Sequence, residues 1–174
     1  ESWPHAGVVV AGSGPSVGGG GRWDLRILAS DMSIRIGIVG MGNMGKFHAD
    51  YLLSGKVPRA TLAAVCSTSP GKLTAYAERG VQVFDDVTRL VGSRAVDALV
   101  IATPHPQHPA QGEAALAAGL HIMVEKPIAS HKADAERLVA AAARHPRQVF
   151  GAMFQLRTEP RYAKIRQLIQ SGEL

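Results

Sequence analysis

Cysteine is almost missing from this chain. A lone Cys66 excludes an internal disulfide and leaves no thiol pair for a metal, so a reducing, cytoplasmic setting is the simplest reading. Aromatic residues make up only 5%, and Trp3 and Trp23 are the only tryptophans. No apolar run approaches the roughly 20 residues that a membrane span needs. The chain opens on Glu1 rather than on a basic stretch, and its first apolar run is short, which argues against a secretory leader. Basic residues outnumber acidic ones, 19 to 14, for a net charge of +5. They are scattered over predicted helices instead of clustered, so the excess describes a solvated basic surface suited to an anionic cofactor or substrate, not a nucleic-acid interface. What remains is ordinary: 174 residues, 46% hydrophobic and 19% charged, enough for one globular domain with a core. No internal repeat is evident.

The most informative stretch is Ile34 to Gly45, IRIGIVGMGNMG. Ile34, Ile36, Ile38 and Val39 read as a buried strand, Gly40, Gly42 and Gly45 follow in G-x-G-x-x-G spacing, and a helical pattern opens at Asn43 or Met44. Each glycine answers a separate steric demand. Gly40 permits a tight turn, Gly42 leaves the backbone open to a pyrophosphate, and Gly45 lets the helix pack closely. The free N–H groups of the helix start then face the phosphates. Met44, Phe47, Tyr51 and Leu52 mark the helix face expected to lie on a sheet, and Gly55 ends the helix.

Residues 1 to 31 have a different character, with a four-glycine run at Gly18 to Gly21 and little periodicity. They read as an unstructured extension. Within it, Val8, Val9 and Val10 precede Gly12, Gly14 and Gly18, but no helix pattern follows, so this is a decoy and not a second nucleotide site. Met32 stands just before the first strand and is read as the natural start of the domain.

After the first helix the pattern alternates. Strands are expected at Thr61 to Cys66, Val81 to Phe84, Ala98 to Ala102, His121 to Val124 and Gln148 to Met153. Between them lie a helix capped by Ser69 and Pro70 and ending near Gly80, a short one capped by Asp85 or Asp86, one over Ala110 to Ala118, and one from Ser130 to about Arg144. A final amphipathic helix follows Pro160, with Tyr162, Ile165, Leu168 and Ile169 on one face. The alternation predicts an α/β fold, a doubly wound parallel sheet that binds its ligand at the carboxyl ends of the strands. The expected domains are 1–31 as extension, 32–156 as a dinucleotide-binding unit, and 157–174 as a junction helix.

Besides the glycine turn, three polar segments fall at predicted strand ends: Ser67 to Ser69, Thr103 to His108, and Glu125 to Pro127. About twenty positions past the glycines a carboxylate normally receives the adenosine ribose. Ser67 stands there instead. Its neutrality removes repulsion against a 2′-phosphate and tilts the site weakly towards NADP over NAD, with Thr68, Ser69 and Lys72 as partners. Lys126, fixed between Glu125 and Pro127 and aimed into the crevice, is suited to proton exchange beside a cationic nicotinamide. The alternative is an exposed lysine paired with Glu125. His105 and His108 lack the cysteine or carboxylate company of a zinc site, so no metal is expected. His48 is placed on the surface of the first helix or against the loop, and His121 in a strand.

The segments GIVGMGNMG, IATPHPQH, EAALAAGLHIMVEKPIA and FQLRTEPRYAKIRQLIQSGEL, in this order, resemble the glucose-fructose oxidoreductase and inositol dehydrogenase family over residues 32–174. That resemblance implies an NAD(P)-dependent oxidoreductase acting on sugars, inositols or other polyols. It implies an N-terminal Rossmann domain followed by an open-sheet domain that binds substrate and supports homo-oligomers. By the same resemblance Gly40, Gly42, Asn43 and Met44 hold the pyrophosphate, and Ser67 and Thr68 occupy the ribose-selecting positions. Thr103, Pro104, His105 and His108 form the loop beside the cofactor, Glu125 and Lys126 the motif at the nicotinamide, with Lys126 catalytic. Arg157 sits at the domain junction. The sequence stops at Leu174, where the family's substrate domain begins, and the aspartate and histidine that take the substrate proton lie beyond it, so this chain alone is expected to be inactive. The competing reading is a regulatory or scaffold module that binds dinucleotide without catalysis. Neither a membrane nor a nucleic acid is expected as a partner.

Overall fold

Seven strands form one sheet in the computed structural model, which describes residues 8–10, 33–157 and 159–174. In chain order they are β1 (Val8–Val10), β2 (Ile34–Val39), β3 (Ala60–Cys66), β4 (Gln82–Phe84), β5 (Ala98–Ile101), β6 (His121–Val124) and β7 (Phe150–Met153). Across the sheet the order is β1-β7-β6-β5-β2-β3-β4. All pairs from β4 to β7 are parallel. The order reverses between β2 and β5, which makes the crevice at their carboxyl ends the place for a ligand.

The outermost pair departs from the expectation. Val8–Val10, read from sequence as part of an unstructured extension, runs antiparallel to β7, with Val8 opposite Met153 and Val10 opposite Gly151. Without it the outer edge of β7 would present unpaired N–H and C=O groups, and a run of valines suits a strand. An antiparallel edge on an otherwise parallel sheet is a common arrangement. The rest of the extension, with Trp3, Trp23, the glycine run and Met32, lies outside the described residues.

Helices α1 (Asn43–Leu53), α2 (Thr74–Ala77), α3 (Val87–Gly92), α4 (His108–Ala117), α5 (Lys132–Arg144) and α6 (Pro160–Ser171) connect or follow the strands. Neighbouring strand residues point to opposite faces, so the sheet feeds two cores. Val39, Leu99 and Ile101 join Leu90, Leu116 and Leu138 in one. Ile38, Val65 and Val100 join Ala49 and Leu73 in the other. Gly37 sits in the middle of β2 because β5 needs the room: a Cβ there would lie 2.7 Å from Leu99 Cδ2.

Three local expectations need correction. On α1 the buried residues are Gly45 and Ala49, and Leu52 packs against the same core as expected, while Met44 and Phe47 are 44% and 48% exposed. Small residues four apart bring the helix axis closer to the strands than a bulky face allows. Before α2, Pro70–Leu73 forms a 3-10 turn with Ser69 at its N-cap and Pro70 in its first turn, as expected, but the Ser69 hydroxyl makes no capping bond; the Ser69 N–H donates to Ser67 Oγ at 3.2 Å. Ser130 does not cap α5, whose first turn is preceded by His131, again without a side-chain cap. Asp86 does cap α3, its Oδ1 accepting from the Arg89 N–H at 2.9 Å.

At the amino ends of the strands, opposite the ligand edge, Arg35 and Asp97 clasp β2 to β5. Arg35 Nη2 donates to Asp97 Oδ1 at 2.7 Å and Nε to Oδ2 at 3.1 Å, while the Arg35 backbone N–H reaches Oδ2 at 2.8 Å. The side-chain hydrogen bonds from Arg35, together with its backbone N–H and charge, hold the Asp97 carboxyl below its ordinary range against an opposing push from burial. No helix among the described residues is long and apolar enough to cross a membrane.

Candidate functional site

The glycine turn is built as its spacing demands. Gly40 has a φ of +91°, a conformation that favours glycine, and a Cβ on it would lie 2.6 Å from the Ala102 carbonyl oxygen. Its N–H donates to Cys66 O at 3.0 Å, and the Ala102 N–H donates to Val39 O at 2.8 Å, so the turn is sewn to both neighbouring strand ends. A Cβ on Gly45 would fall 1.9 Å from Gly40 O, against the turn itself rather than against the strand alone. Around Gly42 the space is open, with nothing within 4 Å of a built Cβ. Gly42 is the N-cap of α1, has no capping side chain, and is followed by no acidic residue in the first turn. The first amides of α1 are therefore not engaged by a capping side chain, and the helix end is poised for an anion.

At the end of β3, Ser67 is half-buried and its N–H donates to Phe84 O at 3.0 Å, while Thr68 is exposed. Beneath them, burial pushes the Cys66 thiol up to about 11, with the charges of Asp86 and Asp85 adding to the effect. Cys66 is thus a buried neutral thiol of the core rather than a nucleophile.

After β5, Thr103 Oγ1 donates to Gln111 Oε1 at 2.6 Å, while Pro104 and His105 are exposed. His108 is fully buried at 0% exposure. Its Nε2 lies 2.7 Å from Thr103 O and its Nδ1 lies 3.0 Å from Pro127 O. Both carbonyls can only accept, so the ring holds to the loop after β5 or to the turn after β6 by donating its N–H, the other carbonyl lying within reach of the second nitrogen.

After β6, Glu125 is 5% exposed, and its carboxylate does not pair with the Lys126 ammonium. Instead Oε1 lies 2.7 Å from His48 Nε2 on α1, and Oε2 accepts from the Lys126 backbone N–H at 3.2 Å. The Lys126 side chain is exposed, and no carboxylate among the described residues forms an ion pair with it. The Lys126–Pro127 peptide is cis.

These strand ends converge on one cleft of about 260 Å³, lined by Asn43, Met44, Ala102, Thr103, His105, Glu125 and Lys126. Six of the seven are residues that the sequence singles out; Ala102 is the exception. Ser67 and Thr68 lie to one side, at the next strand end, and Gly40 and Gly42 form the turn leading into α1. His108 stands behind the cleft wall. Arg157, in the 3-10 turn Gln155–Arg157, lies over the Phe154 ring at 5.9 Å and does not line the cleft. His121 has a structural place, its Nδ1 accepting from the Val149 N–H at 2.9 Å. Among the described residues no group of three or more His, Cys, Asp or Glu is arranged to hold a metal. The partner that sequence reading missed is His48, which carries no signal beyond that of a polar residue on an amphipathic helix.

The model of an oxidoreductase family with an NAD-binding Rossmann fold matches residues 34–152. Inositol 2-dehydrogenase of Acidothermus cellulolyticus is 34% identical over 149 residues, which covers 84% of this chain and 43% of that enzyme. Among solved structures, scyllo-inositol dehydrogenase from Lactobacillus casei with bound NAD(H) and scyllo-inositol superposes with a TM-score of 0.76 at 36% identity, over 81% of this chain and 42% of that one. The WlbA dehydrogenase from Bordetella pertussis, in complex with NADH and UDP-GlcNAcA, gives 0.73 at 30% identity, over 80% and 42%. The chain thus spans under half the length of the relatives it matches, and the matched part is their Rossmann portion. Because the match spans residues 34–152, from the start of β2 past the glycine turn and the cleft into β7, the chain belongs to the glucose-fructose oxidoreductase and inositol dehydrogenase family of NAD-binding oxidoreductases.

Proposed function

We propose that residues 32–156 hold a nicotinamide dinucleotide, with its pyrophosphate on the α1 amino terminus and its nicotinamide in the cleft beside Lys126. The observation that carries this reading is a shared sheet edge. The open backbone at Gly42 and the Lys126 ammonium, which no described carboxylate engages, both lie on it, with one cleft running between Asn43 and Lys126. Gly40, Gly42, Asn43 and Met44 serve the phosphates through backbone N–H groups. Thr103, Pro104 and His105 form the wall beside the ring, and Glu125 and Lys126 its far end. Ser67 and Thr68 receive the adenosine ribose.

When bound, the dinucleotide supplies the hydride-carrying C4. Lys126 orients the ring and exchanges a proton with the group oxidised or reduced. In the intact protein the substrate is a sugar, inositol or other polyol, as the names of the relatives suggest, and a substrate domain provides the remaining proton acceptor and the oligomer contacts. Residues 1–174 alone bind cofactor and turn over little. Ser67 gives the site a slight lean to NADP. It is slight because no arginine directly follows Ser67, and Asp85 and Asp86 follow β4 close by, Asp85 paired with Arg89 at 2.7 Å.

Titration of the chain with NADH and NADPH, read by nicotinamide fluorescence, tests the reading. Saturable binding of either supports it, and binding of neither refutes it. Polyol oxidation by the isolated chain would contradict the division of labour.

A further inference from the structure

Glu125 lines the cleft, yet its carboxylate is turned away from Lys126 and spent on two other donors. His48 Nε2 holds one oxygen at 2.7 Å, and the Lys126 backbone N–H holds the other at 3.2 Å. The His48 and Glu125 side chains are only 11% and 6% exposed, so this is a buried contact between residues 77 positions apart. His48 does not line the cleft. It lies one turn along α1 from Gly45, on the helix whose first amides carry the phosphate end.

We propose that His48 is a positioning residue: through Glu125 it sets the backbone direction of Lys126 relative to the phosphate-binding helix. The proposal rests on the cofactor reading above. A carboxylate clamped at both oxygens has little rotational freedom, and the N–H it accepts from belongs to Lys126 itself. The spacing between the pyrophosphate turn and the ring-side lysine is thereby fixed by one side-chain pair instead of by loop backbone alone. His108 stands on the other side, buried with its ring nitrogens 2.7 Å from Thr103 O and 3.0 Å from Pro127 O. The glutamate and the two histidines thus flank the turn that bears Lys126. Loss of His48 leaves the turn free to drift by fractions of an ångström, which affects the nicotinamide and not the adenosine end.

Binding of NADH and of ADP-ribose by the full chain separates these effects, because ADP-ribose lacks the nicotinamide. His48→Leu is expected to weaken NADH on the order of tenfold while ADP-ribose changes less than about twofold. His48→Gln, whose amide reaches where Nε2 does, restores NADH affinity; His48→Asn, too short to reach Glu125, does not. The double variant His48→Leu with Glu125→Gln should lose no more than the larger single loss. Equal loss of both ligands, no loss of either, or additive losses in the double variant overturns the positioning role. If His48→Leu does not fold, the Gln and Asn pair decides the matter alone: equal NADH affinity in the two refutes it. A wild-type chain that binds neither ligand refutes the cofactor reading itself and removes the basis for this one. Binding of ADP-ribose without any preference for NADH refutes only the placement of Lys126.

Discussion

Gly45 stands so close to Gly40 that a methyl group on Gly45 would lie 1.9 Å from the Gly40 carbonyl oxygen. That oxygen is backbone, and it cannot swing aside without unmaking the turn. Gly45→Ala is therefore expected to destabilise the fold by roughly 1–3 kcal/mol, as an overpacked core site does, and to lower dinucleotide affinity with it. Gly42→Val meets open space and costs the fold no more than about 1 kcal/mol as a poor N-cap. It should still cut dinucleotide binding at least tenfold by filling the place of the pyrophosphate. Urea unfolding beside NADH titration checks the contrast, and the idea fails if the two variants rank the same way in both assays.

Lys126→Ala should weaken NADH by roughly tenfold, at least as much as His48→Leu does and less than Gly42→Val, because the ring-side contact is one of several. Lys126→Arg is not expected to restore it, since a planar guanidinium does not replace a compact ammonium at the cleft end. Fluorescence titration decides; full affinity in the alanine variant would remove Lys126 from the nicotinamide.

At the ribose end, Ser67→Asp places a carboxylate where the 2′-phosphate would sit. Affinity for NADPH should fall by roughly tenfold or more while that for NADH holds or rises. Parallel titrations with both cofactors measure the ratio. A ratio unmoved by the substitution would show that this strand end does not read the ribose.

The Arg35–Asp97 clasp predicts a pH dependence of stability. Asp97 is held below its ordinary value by its hydrogen bonds to Arg35. A carboxyl depressed in the folded state adds stability above its unfolded pKa of about 3.9, and that contribution is lost as pH falls through the lower folded value. The advantage of wild type over Asp97→Asn should thus be constant near neutrality and shrink below about pH 4. With side chains 48% and 41% exposed, the effect is small and weakens further in salt. Thermal melts at a series of pH values test it, and a gap that widens on acidification would reverse the sign.

Much of the ligand edge is legible from sequence because it is local. The G-x-G-x-x-G turn and Glu125-Lys126-Pro127 each carry their geometry within a few residues, and alternating elements bring them to one edge. What the sequence hides depends on distance or on packing. Bulk is a poor guide to the phase of α1, because close contact with a sheet selects Gly45 and Ala49. Val8–Val10 resembles a failed nucleotide motif, since pairing with β7 is a property of residues more than a hundred positions away. His48 belongs with Glu125 for the same reason, and the buried site of His108 needs two loops to be in place before it exists. Arg157 rests on resemblance alone; it stacks over Phe154 and is not among the residues that line the cleft.

Gly37 and Leu99 share a single volume across two paired strands. What is missing at one is supplied by the other, since a Cβ at Gly37 would lie 2.7 Å from Leu99 Cδ2. Val96 closes the same space from the other side, its Cγ1 3.0 Å from that Cβ. Alanine at 37 therefore becomes tolerable only when both 96 and 99 give way, so in the descendants of this sequence the three positions should drift together.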